Sequence, residues 1–141
     1  MKKRIILNAF DMTCVSHQSA GTWRHPSSQA SKYNDIDYWT NLARELERGC
    51  FDTMFIADVV GVYDVYRGTA EMALKDAAQV PVNDPFGAIS AMAAVTSNVG
   101  FGVTAAVDAG RDRSSAAKVF IFSSRRDDCW CHGAVRRRRR Q

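Results

Sequence analysis

No apolar stretch of this chain approaches the roughly twenty residues that a bilayer-crossing helix needs, which excludes a membrane span. The basic start Met1-Lys2-Lys3-Arg4 is followed by only three apolar residues before Asn8 and then Asp11 intervene, so it does not read as an export signal. Cysteine is sparse. Cys14, Cys50, Cys129 and Cys131 lack the density and spacing of a disulfide framework, and the simplest expectation is reduced thiols in a cytoplasmic protein. Neither a Gly-x-Gly-x-x-Gly turn nor a glycine-rich loop ending in Lys-Ser/Thr occurs, which removes the common nucleotide-binding variants of an α/β fold.

What is present is a chain of 141 residues, 46% hydrophobic and 24% charged, enough for one modest core and too apolar for wholesale disorder. Its net charge of +4 is unevenly placed. Residues 1–110 hold nine Lys/Arg against twelve Asp/Glu, whereas residues 111–141 hold ten against three. A mildly acidic domain therefore carries a strongly basic tail.

The apolar run from Ile5 to Phe10 suits a buried strand of a parallel sheet. A long polar stretch follows to about Asn34. Tyr38, Leu42 and Leu46 then recur at helical spacing, with Trp39 and Ala43 widening the stripe, and predict a helix over 38–48. Asp35 or Asp37 can cap its start, and Gly49 is placed to end it. The run Phe51–Asp58 predicts a second strand, followed by a connection to Asn83 with a short helix near 70–78. Asp84-Pro85 supplies a capping carboxylate and a first-turn proline for a helix to about Ser97, and Val99–Ala105 predicts a third strand. This βαβαβ order implies a parallel sheet of the kind found in eightfold barrels of about 250 residues, of which the chain supplies about three units.

Beyond about Val107 the pattern stops. An apolar patch, Val119–Phe122, is isolated among Arg-, Ser- and Asp-rich sequence that ends in Arg136–Arg140. The tail has two readings. It is a polyanion-binding arm, which would make the chain a nucleic-acid-binding protein, or it is an unselected peptide such as an out-of-frame stretch of a GC-rich gene yields. Cys129, Cys131 and His132 offer three clustered metal-ligand types where a structural zinc site wants four, so no metal is expected.

Chemistry in parallel barrels sits at the carboxyl ends of the strands. The loop after Phe10 carries Asp11, Cys14, His17, Gln18, Trp23 and His25, and the loop after Asp58 carries Tyr63, Asp64, Tyr66, Arg67 and Gln79. Such a set of His, Tyr, Gln and Trp suits a flat aromatic cofactor with polar edges. Each has a plainer reading too: a packed thiol at Cys14, solvated loop residues at His17, Gln18 and His25, rim cover at Tyr63 and Tyr66, a turn residue at Gln79, a local cap at Asp58.

Residues 7–19, Leu-Asn-Ala-Phe-Asp-Met-Thr-Cys-Val-Ser-His-Gln-Ser, with Gly21-Thr22-Trp23-Arg24-His25-Pro26, resemble the opening of the nitrilotriacetate monooxygenase component A group. Further matches are Asp37–Thr40, Leu46–Gly49, Phe51–Val59, Gly61–Tyr66, Gln79–Pro85 and Phe101–Thr104. That group belongs to the bacterial-luciferase-like flavin monooxygenases and also contains long-chain alkane and dibenzothiophene-sulfone monooxygenases. The resemblance covers roughly residues 4–106. It implies the first three β/α units of a TIM-like (β/α)8 barrel and an enzyme that uses reduced FMN and O2 to oxygenate a small organic substrate. It also implies a separate NAD(P)H-dependent flavin reductase as partner and homo-oligomers of the full-length form. By carry-over, Asp58 and Thr104 contact the flavin, while Cys14, His17, Tyr63 and Gln79 line the flavin and substrate pocket, with His17 and Tyr63 donating hydrogen bonds or protons. A deazaflavin-dependent oxidoreductase of the same superfamily is the alternative within enzymes.

The resemblance ends at about residue 106, so residues 107–141 read as an unrelated Arg-rich tail, out of frame or disordered. Five barrel units and the flavin-phosphate residues have no counterpart. The expectation is an N-terminal fragment, inactive alone, whose sheet cannot close.

Overall fold

The structure, a computed structural model, describes residues 5–17, 21–59, 61–107, 116–123 and 134–135, and beyond Thr104 it describes backbone alone. Gln18, Cys129, Cys131, His132 and Arg136–Arg140 lie outside the described residues. Five strands form one sheet in chain order: β1 (Asn8–Met12), β2 (Thr53–Ala57), β3 (Gly100–Val107), β4 (Ala116–Ser123) and β5 (Ala134–Val135). The helices are α1 (Ile36–Arg48), α2 (Glu71–Lys75) and α3 (Phe86–Ala94).

The first three strands are parallel, with Asn8 opposite Thr53 and Thr53 opposite Gly100. Their spatial order equals their chain order, and α1 and α3 pack together over one face. A doubly wound sheet would reverse its order and place helices on both faces; a singly wound one is the arc of a barrel. Met54, Ile56, Phe101 and Val103 point into the helix layer, where they meet Trp39, Ala43, Leu46, Ile89 and Met92. The other face carries Phe10, Phe55 and Gly102 in one row of the register. The Phe55 ring lies so close over Gly102 that a β-carbon there would sit 3.3 Å from it.

Local chemistry explains the helix ends. The Asp35 side chain accepts from the Asp37 N–H at 2.9 Å, and that of Asp84 accepts from the Phe86 N–H at 2.9 Å. Gly49 ends α1 with φ −78°, not in the left-handed conformation; Cys50 takes that role at φ +57°. The buried stripe of α1 is centred on Trp39, Ala43 and Leu46, with Tyr38 and Leu42 half-buried beside it, so all five expected positions face the core. The Glu47 carboxylate accepts from the Ser97 and Asn98 N–H groups at 2.8–3.0 Å, fastening α1 to the turn that feeds β3.

Two expectations need correction. Ile5–Leu7 is not buried strand: Ile5 is 82% exposed, and β1 starts at Asn8, where pairing with β2 begins. β1 is the outer strand of the sheet, so this run has a neighbour on one side alone. The patch Val119–Phe122 is not isolated either. It lies within β4, which pairs antiparallel with the whole of β3, Gly100 opposite Ser123 and Val107 opposite Ala116. The β3 edge is thereby covered, although the added strand runs against the direction a barrel requires.

Candidate active site

Two loops leave the carboxyl ends of β1 and β2, and they are stitched together. Thr13 and Asn83 exchange backbone and hydroxyl hydrogen bonds: the Asn83 N–H donates to the Thr13 carbonyl at 2.9 Å, and the Thr13 hydroxyl donates to the Asn83 carbonyl. Cys14 bridges Val82, and Ser16 bridges Ala78. The Gln79 N–H donates to the Ser16 carbonyl at 2.7 Å. Trp23 Nε1 donates to the Asp76 carbonyl at 3.1 Å and Arg24 pairs with the Asp76 carboxylate at 3.2 Å, which holds the end of α2 against the first loop. These bonds replace the ladder that the two loops, as irregular backbone, cannot make internally.

The stitching brings His17 and Gln79 into contact and seats Cys14 against Val82. Gln79 is 3% exposed, its backbone at φ +57°, and its amide nitrogen contacts His17 Nδ1 at 2.5 Å and Met12 Sδ at 3.5 Å. The His17 ring lies 5.4 Å from that of Phe10, which stacks on Phe55, so His17 belongs to the face of the sheet away from the helices. Cys14 is buried, and its thiol donates to the Ser16 carbonyl at 3.3 Å. Burial, together with the nearby Asp11 charge, raises its pKa, so it is a protonated thiol at neutral pH.

Asp58 and Thr104 meet at the ends of β2 and β3, where the Asp58 N–H donates to the Thr104 hydroxyl at 2.9 Å. Asp58 and Gln79 line one cleft of about 430 Å³, walled by Val59, Val62, Pro81 and Phe86. Tyr63 is not gathered there. It is 52% exposed and lines a separate depression of about 200 Å³ with Tyr66, Met72 and Asp76. His25 is exposed and pairs locally with the Ser27 hydroxyl at 2.8 Å. Among the described residues no three His, Cys, Asp or Glu side chains cluster as metal ligands, and no helix is long and apolar enough to cross a membrane.

One polar pair escaped the sequence reading. The Tyr38 hydroxyl donates to Asp11 Oδ2 at 3.0 Å from the helix layer. Burial raises the Asp11 carboxyl pKa against the opposing pull of the Met12 N–H, Tyr38 and His17, and burial with the Asp11 charge raises that of Tyr38. The usable signal was strand alternation: Asp11 sits in register with the inward-facing Ile56, on the α1 side of the sheet.

No family model matches the chain. Over 107 residues, 76% of the chain, it is 86% identical to a dimethyl-sulfide monooxygenase of Hyphomicrobium sulfonivorans. Over 104 residues it is 55% identical to a long-chain alkane monooxygenase of Geobacillus thermodenitrificans, and over 112 residues 33% identical to nitrilotriacetate monooxygenase component A of Aminobacter aminovorans. The crystal structure of DmoA from Hyphomicrobium sulfonivorans superposes on 74% of the chain with a TM-score of 0.71. A long-chain alkane monooxygenase structure does so on 73% with a TM-score of 0.70. A riboflavin lyase solved with modified FMN and riboflavin, 28% identical, follows at 0.63. The chain spans 22–24% of the length of these curated relatives. Sharing sequence and backbone path with these enzymes over three quarters of its length, the chain belongs through that segment to the bacterial-luciferase-like flavin monooxygenases.

Proposed function

We propose that residues up to about 106 are the amino-terminal part of a two-component monooxygenase that oxygenates a small organic substrate with O2 and FMN, the flavin arriving reduced from a separate NAD(P)H-dependent reductase. The observation that carries the reading is the cleft beside the carboxyl ends of the parallel strands, where Asp58 and Gln79 share one wall system. Its apolar walls and polar edge fit a flavin ring. They do not fit the flavin phosphate, because the lining contains Asp58 and Asp84 and no Lys or Arg. FMN would supply the activation of oxygen. The chain's own residues would bind and orient: Asp58 and Thr104 at the ring edge, Cys14 as a packed neutral thiol, and His17 and Gln79 as hydrogen-bonding groups beside Phe10. Tyr63 would join them only if the loop 61–69, exposed here, folds over the site.

Relatives named for dimethyl sulfide, long-chain alkanes and nitrilotriacetate all match this segment, so it carries the shared chemistry and the remaining barrel selects the substrate. The isolated chain is then inactive. Titrating it with riboflavin and with FMN, read by flavin fluorescence, should give weak binding that is equal for the two, because the lining of the described cleft offers the phosphate no Lys or Arg. Tight stoichiometric FMN binding would overturn the inactive-fragment reading. Fusing residues 1–106 to the remaining barrel of the dimethyl-sulfide monooxygenase should restore oxygenation in the presence of FMN, NADH and a reductase. A folded, flavin-binding fusion without oxygenation would refute the monooxygenase assignment.

A further inference from the structure

We infer that Gln79 is a positioning residue that holds the imidazole of His17 in its Nε2–H tautomer, making His17 a hydrogen-bond donor, not an acceptor, on the open face of the sheet. The inference starts from the amide. Gln79 presents one polar atom to two neighbours, His17 Nδ1 and, at 3.5 Å, Met12 Sδ. A thioether sulfur only accepts. The group facing it is therefore the NH2 end of the amide, since the carbonyl oxygen would oppose one lone pair with another. The same NH2 reaches His17, and an NH2 only donates, so Nδ1 must accept and the neutral ring carries its proton on Nε2.

Gln79 is fixed well enough to impose this choice. The residue is 3% exposed, its N–H is bonded to Ser16 at 2.7 Å, and its neighbour Ala78 forms the bridge to Ser16 one residue before His17. The donor and the ring are thus anchored to the same short piece of backbone. Its φ of +57° is a costly conformation for a residue with a β-carbon, retained where surrounding bonds over-determine it. The Phe10 ring packs against the imidazole, tilted by 45° at a centroid distance of 5.4 Å. A donor at Nε2 suits an electron-rich oxygen or nitrogen on a bound ligand and disfavours His17 as a proton-abstracting base; this last step rests on the proposed flavin site, whereas the tautomer does not.

Nuclear magnetic resonance of the full chain labelled with ¹⁵N tests it without flavin. The His17 signals, assigned with His17→Asn, should show a protonated Nε2, an unprotonated Nδ1 and a scalar coupling across the Gln79–His17 hydrogen bond. Gln79→Leu should return the ring to the tautomer mixture of an unconstrained imidazole. Gln79→Glu, which offers only acceptors, should place a proton on Nδ1. Wild-type signals with Nδ1 protonated, or a folded Gln79→Glu chain whose Nδ1 stays unprotonated, would overturn the proposal. The wild-type coupling decides the matter even where a variant fails to fold. Absence of flavin binding alongside the expected tautomer would count against the flavin site alone.

Discussion

On the helix side of the sheet, Met54, Ile56, Phe101 and Val103 are each no more than 1% exposed, whereas on the other side Phe10 is 51% exposed and Phe55 and Thr104 are half-buried. The two faces come from the same strands, alternate residue by residue, and are both apolar enough to be core. The difference is supply. The helix side is covered by α1 and α3, which the chain itself provides between its strands. The other side is the interior of a barrel arc, and among the described residues only the carboxyl end of β1 is covered there, where the 78–82 loop seals Met12. Burial of a sheet face is thus a property of what else the chain builds, and parallel sheets ordinarily need both faces covered.

The largest effect should come from the covered face. Phe101→Ala removes a ring at the centre of the core and should lower stability by about 3–5 kcal/mol, measured by urea unfolding. Phe10→Ala, on the open face, should cost less than about 1 kcal/mol. Equal losses would break the comparison by showing that the open face is covered in solution. Next in size, Glu47→Ala should cost about 2 kcal/mol by the same method, because it strips the acceptor from the Ser97 and Asn98 N–H groups and loosens α1 from β3. A loss below about 0.5 kcal/mol would mean that water replaces the carboxylate without cost.

The smallest effect sharpens the contrast through protons. The Asp11 carboxyl pKa is raised in the folded chain, chiefly by burial, so folded molecules bind more protons than unfolded ones in the window above the ordinary Asp value of about 3.9. The stabilisation is complete below that value and is lost as pH rises through the folded pKa. Urea midpoints should therefore show a downward contribution with rising pH that disappears in Asp11→Asn. A slope that survives the substitution would assign it to another carboxylate.

Much of the fold was legible because it is local. Asp35 and Asp84 mark helix starts through bonds made within two residues, and the 3.6-residue recurrence put Tyr38, Trp39, Leu42, Ala43 and Leu46 on the core side of α1. The strand at 116–123 was missed because its evidence is a partner: an apolar patch becomes β4 only by pairing with β3. The site divides the same way. Cys14, His17, Asp58, Gln79 and Thr104 were legible from strand ends and the resemblance, but the meeting of His17 with Gln79 depends on Thr13–Asn83 and Ser16–Gln79 bonds between residues more than sixty positions apart. Tyr63, named with them, occupies a different depression.

Composition, periodicity and capping residues by themselves determined that this chain alternates strands and helices, that its first hundred residues form one α/β unit, and that its charge is concentrated after residue 110. Those properties are set within a few residues along the chain, where dihedral preferences and short hydrogen bonds act. Tertiary structure alone decided that both helices cover the same face, that β4 occupies the edge of β3, and that Gln79 meets His17. Each is a long-range contact whose free energy exists only once distant segments are brought together, and no local pattern of residues encodes it.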